Sequence, residues 1–197
     1  MDRLGRDFYA RGTLTVARCL LGQRLVRMRD GERLSGTIVE VEAYVGEGDK
    51  ACHASSGRTK RNAAMFGPPG HAYVYLIYGM HHCLNVVTEA DGTPAAVLIR
   101  ALEPIEGIET MQALRDRTKP TTLTSGPGRL CHALDIDRGF DEADLCATDA
   151  ELFVEEATPV QDESVATGHR VGVTGDDAAL SAPWRFYVKG NVYVSRR

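Results

Sequence analysis

The 197-residue sequence has no run approaching the roughly 20 apolar residues that a bilayer-spanning helix needs, so no membrane segment is predicted. Its first residues, Met1-Asp2-Arg3-Leu4-Gly5-Arg6, lack the apolar stretch of a secretory signal, and a cytoplasmic location is expected, nucleoid-associated in a prokaryote. The five cysteines (Cys19, Cys52, Cys83, Cys131 and Cys146) are odd in number and contain no CxxC pair, so free thiols in a reducing compartment are expected and not a disulfide scaffold. P-loop, GxGxxG, GxSxG and HExxH motifs are absent; nucleotide-cofactor and protease readings have no support, and no cofactor is predicted. There is no internal repeat and no low-complexity segment. With a net charge of −4 there is also no domain-wide basic footprint.

What is present is ordinary for a globular chain: 43% hydrophobic and 25% charged residues. The length predicts a single domain over residues 1–197, able to bury roughly 70% of its extended-chain surface without a disulfide or metal staple. Charge is unevenly spread. Residues 53–100 carry four basic side chains (Arg58, Lys60, Arg61, Arg100) against two acids, whereas residues 135–182 carry thirteen acids against Arg138 and Arg170. One face is therefore expected to be basic and another acidic, the acidic stretch being read as solvated surface.

The clearest strand is Thr37–Tyr44. Strict alternation would put Val39, Val41 and Ala43 on one face and Ile38, Glu40, Glu42 and Tyr44 on the other. A short helix around Arg18–Leu21 should end near Gly22, followed by a strand at Leu25–Met28. Strands are predicted at His71–Tyr78, Cys83–Thr88 and Ala95–Leu102, with a hairpin at Asp91-Gly92 between the last two. Ile105, Ile108 and Met111 at helical spacing predict a helix from Pro104 to Arg117, and Ser125-Gly126-Pro127 begins another, with its body at Arg129–Leu134. A final strand pair is expected at Arg185–Val188 and Val192–Ser195. Because strands and helices do not alternate, the expected fold class is α+β, a curved and mostly antiparallel sheet flanked by helices. The irregular stretch between Gly46 and Gly70 is long enough to be read as functional.

Four groupings bear on chemistry. Alternating Glu40 and Glu42 suit an outer strand face in water; the functional reading is a carboxylate at a strand end acting as general base on water beside Tyr44. As neighbours at i and i+2 they point the same way and cannot flank a sugar bond as an O-glycosidase needs. The run Tyr73-Val74-Tyr75-Leu76-Ile77-Tyr78-Gly79-Met80 suits a tyrosine-rich core strand, or rings presented for base stacking with an exposed tip that wedges into a duplex. Cys52-His53 and His81-His82-Cys83 offer at most one or two ligands each, and no metal site is assigned. Arg100, inside Ala96–Leu102, needs a buried carboxylate or a site, and pairing with a glutamate of the 37–44 strand fits both a structural and a catalytic role.

Together these segments resemble the alkyladenine (3-methyladenine) DNA glycosylase family. The resemblance runs in order through Ala17–Gly22, Ile38–Tyr44, Arg61-Asn62, Met65-Phe66, Tyr73–Met80, Cys83–Asn85, Leu98–Pro104, Ser125–Pro127, Arg170–Val173 and Arg185–Val188, nearly the whole chain. It implies a monofunctional, monomeric enzyme that flips alkylated or deaminated purines from double-stranded DNA and hydrolyses the N-glycosidic bond; a non-catalytic damage-recognition module is the alternative. Carried onto this sequence, Glu42 would be the general base, with Arg100 holding it and its water. Tyr44, His53 and Tyr75 would form the base pocket, the backbone around Ala51 and His53 would read the base edge, and Asn85 would crowd the exocyclic amine of normal guanine. Tyr78 would insert into the minor groove beside Met80, and Arg58 and Arg61 would contact phosphates. His82 stands where the family commonly has an aromatic ring. The overall negative charge implies DNA affinity that falls steeply with salt.

Overall fold

A computed structural model describes residues 2–196. Its elements in chain order are α1 (Arg6–Tyr9), α2 (Thr13–Leu20), β1 (Arg24–Arg29), β2 (Glu32–Tyr44), β3 (Ala72–Ile77), β4 (His81–Val87), β5 (Ala96–Glu106), α3 (Ile108–Arg115), α4 (Pro127–Ala133), β6 (Leu152–Glu155), β7 (Val165–Gly168), α5 (Asp177–Ser181) and β8 (Arg185–Val188). The strands form an eight-stranded sheet in the order β3-β4-β5-β2-β1-β6, with β8 added to β2 and β7 to β8. Every named strand pairing is antiparallel. This is the α+β class that the irregular alternation of elements implied.

The sheet has two differently used faces. One packs Ile38, Val41, Ala43, Val74, Leu84, Val97 and Ile99 against apolar residues of α2, α3 and α4 such as Leu20, Met111 and Leu130. That face is a conventional helix-on-sheet core built from β-branched alternation. The other face carries Tyr73, Tyr75, Cys83 and Leu98 and is covered by Cys52, Ala54, Ala64 and Met65 of the 46–70 stretch. The irregular stretch is thus a lid over one half of the sheet.

Strict alternation fails inside β2. Ile38 pairs with Leu102, Glu40 with Ala101 and Val41 with Ile99, so Val39 is an extra residue on β2 and Arg100 an extra residue on β5. These opposed β-bulges cancel over three residues. Their effect is to exchange the expected faces: Ile38 joins Val41 and Ala43 in the helix-covered core, while Val39 turns to pack with Ala101 and Val194. Glu40 and Glu42 stay on the face opposite Val41, but both are fully buried: Glu42 lies beneath Tyr44, Arg100 and the Val171 amide, and Glu40 beneath Arg100, Arg185 and the Ser195 amide.

Two further expectations are corrected. The strand β5 continues through Pro104 to Glu106, because Gly36 and Ser35 of the long β2 supply partners for it. The helix begins only at Ile108, after Gly107 turns the chain at φ 71°, where a Cβ would strike Leu34. Val192–Ser195 is not a strand. There Asn191 satisfies the backbone through Tyr193 N–H to its side chain and Val194 N–H to its carbonyl, and the partners of β8 are β2 and the unanticipated β7.

Candidate active site

A pocket of about 370 Å³ opens on the face beneath the 46–70 lid. That volume is of the size that holds a small molecule or a single base. Its aromatic members are Tyr44, His53, Tyr73 and Tyr75, its buried polar members Asn85 and Arg100. Tyr78, His81 and the segment Val171–Thr174 form the rim. Ala51 also lines it.

The walls are fixed by their own contacts. The His53 ring meets Tyr75 edge-on at 4.6 Å between centroids, and Tyr73 lies 5.4 Å from Tyr75 at a tilt of 35°. His53 Nδ1 and the Tyr73 hydroxyl are 2.8 Å apart. The loop that carries His53 is stapled by buried Asn62, whose Nδ2 donates to the carbonyls of His53 and Gly57 while its Oδ1 accepts from Thr59 N–H. Ala51 N–H is already donated to Asp49 Oδ1, so only its carbonyl is left to meet a base edge. Asn85 Nδ2 donates to the Tyr73 carbonyl at 3.0 Å, which sets the direction of its amide.

Partial burial, and then the nearby Arg61 charge, lower the His53 pKa below its usual 6.5. The ring is therefore neutral at neutral pH and repels no cationic ligand. An NMR titration should place the His53 midpoint below 6.5, and Arg61→Gln should move it upward.

Glu42 does not line the pocket. Its side chain is fully buried immediately behind three groups that do. Its Oε1 accepts the Val171 amide at 2.7 Å and meets Arg100 Nη1 at 3.3 Å, and its Oε2 accepts the Tyr44 hydroxyl at 2.9 Å. Burial raises the Glu42 pKa; Arg100, the Val171 amide and Tyr44 oppose that rise, and Glu40 adds to it. A carboxylate raised in this way is a stronger base than one in water while still held as an acceptor.

At the rim, the β3–β4 hairpin closes through Met80 N–H to the Ile77 carbonyl, with Tyr78 at φ 53° and Gly79 at φ 69°. Both central residues are left-handed, the type I′ geometry that suits Asn-Gly. A tyrosine there is strained, and it is 79% exposed, with Met80 at 69%. Tyr78→Asn should therefore raise the unfolding free energy by about 0.5–1 kcal/mol while weakening duplex binding, checked by denaturant melts beside fluorescence anisotropy. Arg58 and Arg61 are exposed on the lid; Arg61 lies 5.6 Å over Tyr75 and Arg58 5.8 Å over Phe66. Among the described residues, no group of three or more His, Cys, Asp or Glu converges on a possible metal position.

A family model described as methylpurine-DNA glycosylase matches residues 7–192. The chain belongs to that family. It is accordingly a DNA glycosylase, an enzyme of base excision repair that hydrolyses N-glycosidic bonds in DNA. A Methanocella arvoryzae protein named "putative 3-methyladenine DNA glycosylase" is 56% identical, with 100% of this chain and 98% of that protein aligned. Proteins of the same name from Alkaliphilus oremlandii (99% and 100% covered) and Myxococcus xanthus (100% and 95%) are 49% and 48% identical.

The glycosylase pocket is supported or lined by groups that sequence reasoning left without a role. Arg170 is wholly buried and grips Asp49 with both Nη atoms, at 2.5 and 2.7 Å. It also donates to the Ala43 and Ala179 carbonyls. Its guanidinium lies 4.8 Å from the Tyr44 ring and 5.0 Å from Trp184, so it backs the aromatic wall from outside the pocket. The available signals were an isolated arginine in an otherwise acidic stretch and its place in the matched segment Arg170–Val173. Tyr73 fitted either a core strand or a ring presented for stacking, and Val171 acts through its backbone, which no side-chain pattern reveals.

Proposed function

We propose that this glycosylase removes alkylated and deaminated purines, of the 3-methyladenine, 7-methylguanine, hypoxanthine and ethenoadenine class, by rotating the nucleotide out of duplex DNA and hydrolysing its glycosidic bond with water activated by Glu42. The observation that carries the reading is the placement of Glu42: a buried carboxylate directly behind an aromatic, base-sized pocket, held only by donors.

A base inside a duplex is out of reach of such a pocket, so the nucleotide must be extruded. The exposed Tyr78 at its strained turn, with Met80 beside it, is suited to fill the vacated stack. Arg58 and Arg61 on the lid are placed to meet flanking phosphates. Inside, the rings of Tyr44, neutral His53 and Tyr75 attract a cationic purine through their π faces. Tyr44 and Tyr75 stay protonated, because burial pushes both phenols upward. Asn85 takes the position that would crowd the exocyclic amine of guanine.

For the chemistry, Oε2 of Glu42 accepts a single hydrogen bond, from Tyr44, and keeps acceptor capacity for water. That water attacks the anomeric carbon of the sugar, its proton passes to Glu42, and the bonding pair of the C–N bond leaves with the base. Arg100 steadies the ionised carboxylate. An N-alkylated cationic purine is already a good leaving group and departs neutral, so a base and an electron-rich pocket suffice; a neutral purine such as hypoxanthine must also take up a proton as it departs.

The test is base release from duplex oligonucleotides carrying 3-methyladenine, 7-methylguanine, hypoxanthine or ethenoadenine against the undamaged duplex. Release of at least one of these and not of normal purines is expected. Release from none of the four lesions, or equal release of normal purines, would overturn the assignment.

A further inference from the structure

Glu40, the other carboxylate of β2, takes no part in the steps above, yet it is as deeply buried as Glu42. It accepts from three donors: Arg100 Nε at 3.1 Å, Arg185 Nη1 at 3.0 Å and the Ser195 amide at 2.6 Å. Arg100 is divided in turn. Its Nε goes to Glu40, its Nη2 to Ser195 Oγ at 3.2 Å, and only Nη1 meets Glu42. Glu42, Arg100, Glu40 and Arg185 therefore form one buried chain of alternating charge, which the tail of the sequence closes through Ser195 and the Arg196 carbonyl bound by Arg185.

An arginine beside a single buried carboxylate tends to clamp it with two parallel N–H bonds, occupying both oxygens. Here the paired bulges at Val39 and Arg100 set the guanidinium between two carboxylates, and the hydrogen-bonded contact goes to Glu40. We propose that Glu40 is a positioning residue for glycosidic hydrolysis: it holds Arg100 in an orientation that gives Glu42 one ionic contact, through Oε1, and leaves Oε2 with the Tyr44 hydroxyl and spare acceptor capacity for the attacking water. The inference rests on Glu42 being the base.

The charged and titratable groups around Glu42 are Glu40 and Tyr44 on β2, Arg100 on β5, Tyr75 on β3, Cys83 on β4 and Arg170 behind Tyr44. Arg185 acts on it through Glu40. Removing the Glu40 charge takes away a repulsion and releases Arg100 toward Glu42; both effects favour the ionised base. Removing the Arg185 charge takes a partner from Glu40, which then draws Arg100 more strongly; both effects disfavour it.

The experiment is the single-turnover rate of base release against pH for wild type, Glu40→Gln, Arg185→Gln and Glu42→Gln, with saturating enzyme and whichever of a 7-methylguanine or hypoxanthine duplex is cleaved faster. Thermal melts establish folding, and anisotropy gives duplex affinity. For Glu40→Gln the acid limb should move to lower pH by about one unit, a tenfold change in the protonation equilibrium, and the plateau should fall with duplex affinity unchanged. For Arg185→Gln the limb should move to higher pH. Opposite shifts from one cluster do not follow from general loosening of the fold. Limbs that coincide with wild type, or that move together, overturn the inference. If Glu40→Gln does not fold, the direction for Arg185→Gln decides. Wild-type release by Glu42→Gln would instead remove the base assignment, which separates the two failures.

Discussion

Replacing Glu42 by glutamine is expected to slow base release by roughly 10²–10⁴-fold, the usual contribution of a positioned general base, while lesion-duplex affinity stays near that of the wild type. Glutamine keeps the shape and can still accept from the Val171 amide and Arg100 through its carbonyl; its NH₂ then faces the Tyr44 hydroxyl, which can rotate to accept. What disappears is the ability to take a proton. Quenched single-turnover assays with parallel anisotropy measurements check this, and wild-type release by the variant would remove Glu42 from the mechanism.

The same substitution makes a second statement, about stability. Burial raises the Glu42 pKa above its ordinary 4.5, so the folded chain holds that proton more tightly than the unfolded one. Stability is then lost as pH rises from the unfolded value through the folded one, and at neutral pH the ionised carboxylate is a net cost. Glu42→Gln should melt at a higher temperature than wild type at pH 7, with the difference vanishing below about pH 4.5. Loss of activity with a gain in stability is the signature of a catalytic group and not of a structural one.

Arg170→Ala is expected to be the most destabilising change near the pocket. It leaves Asp49 as a buried charge without its bidentate partner and removes the donors to the Ala43 and Ala179 carbonyls. Breaking one half of a buried pair costs about 3–5 kcal/mol, which for a chain of this length lowers Tm by roughly 6–20 °C. A double-mutant cycle with Asp49→Asn should show strong coupling, since Asp49 also accepts the Val45 and Ala51 amides that shape the lid beside His53. Base release should fall even well below the variant's Tm, because Tyr44 loses the guanidinium that backs its ring. Additive effects of the two substitutions would show that the pair does not act as a unit.

The sequence marked the site where local chemistry speaks for itself. Tyr78-Gly79 read as a turn because a glycine between two β-rich runs lets the chain reverse, and the hairpin is there. The 46–70 stretch stood out because a compact domain rarely tolerates a long idle loop, and it packs over the face of the sheet that carries Tyr73 and Tyr75. Arg100 read as needing a carboxylate because an unpaired charge in an apolar run is costly, and it has two. Local patterning failed where the partner strand decided. Ile105 and Ile108 fit a helical spacing equally well across a strand end and a helix start, and only the reach of β2 extends β5 past Pro104.

By itself, then, the sequence determined the α+β class, the strand that carries Glu42 and Tyr44, the exposed hairpin tip and the family, all of which depend on residue order within a few positions or on matched segments. Tertiary structure alone decided that Val39 and Ile38 exchange faces, that Arg100 is shared between Glu40 and Glu42, that Ser195 reaches back to Glu40, and that Arg170 stands behind Tyr44. The physical reason is common to these four. A β-bulge is selected by the register of the neighbouring strand, and a buried charge is satisfied by whichever group the fold brings near, in these cases from 58 to 155 positions away in the chain.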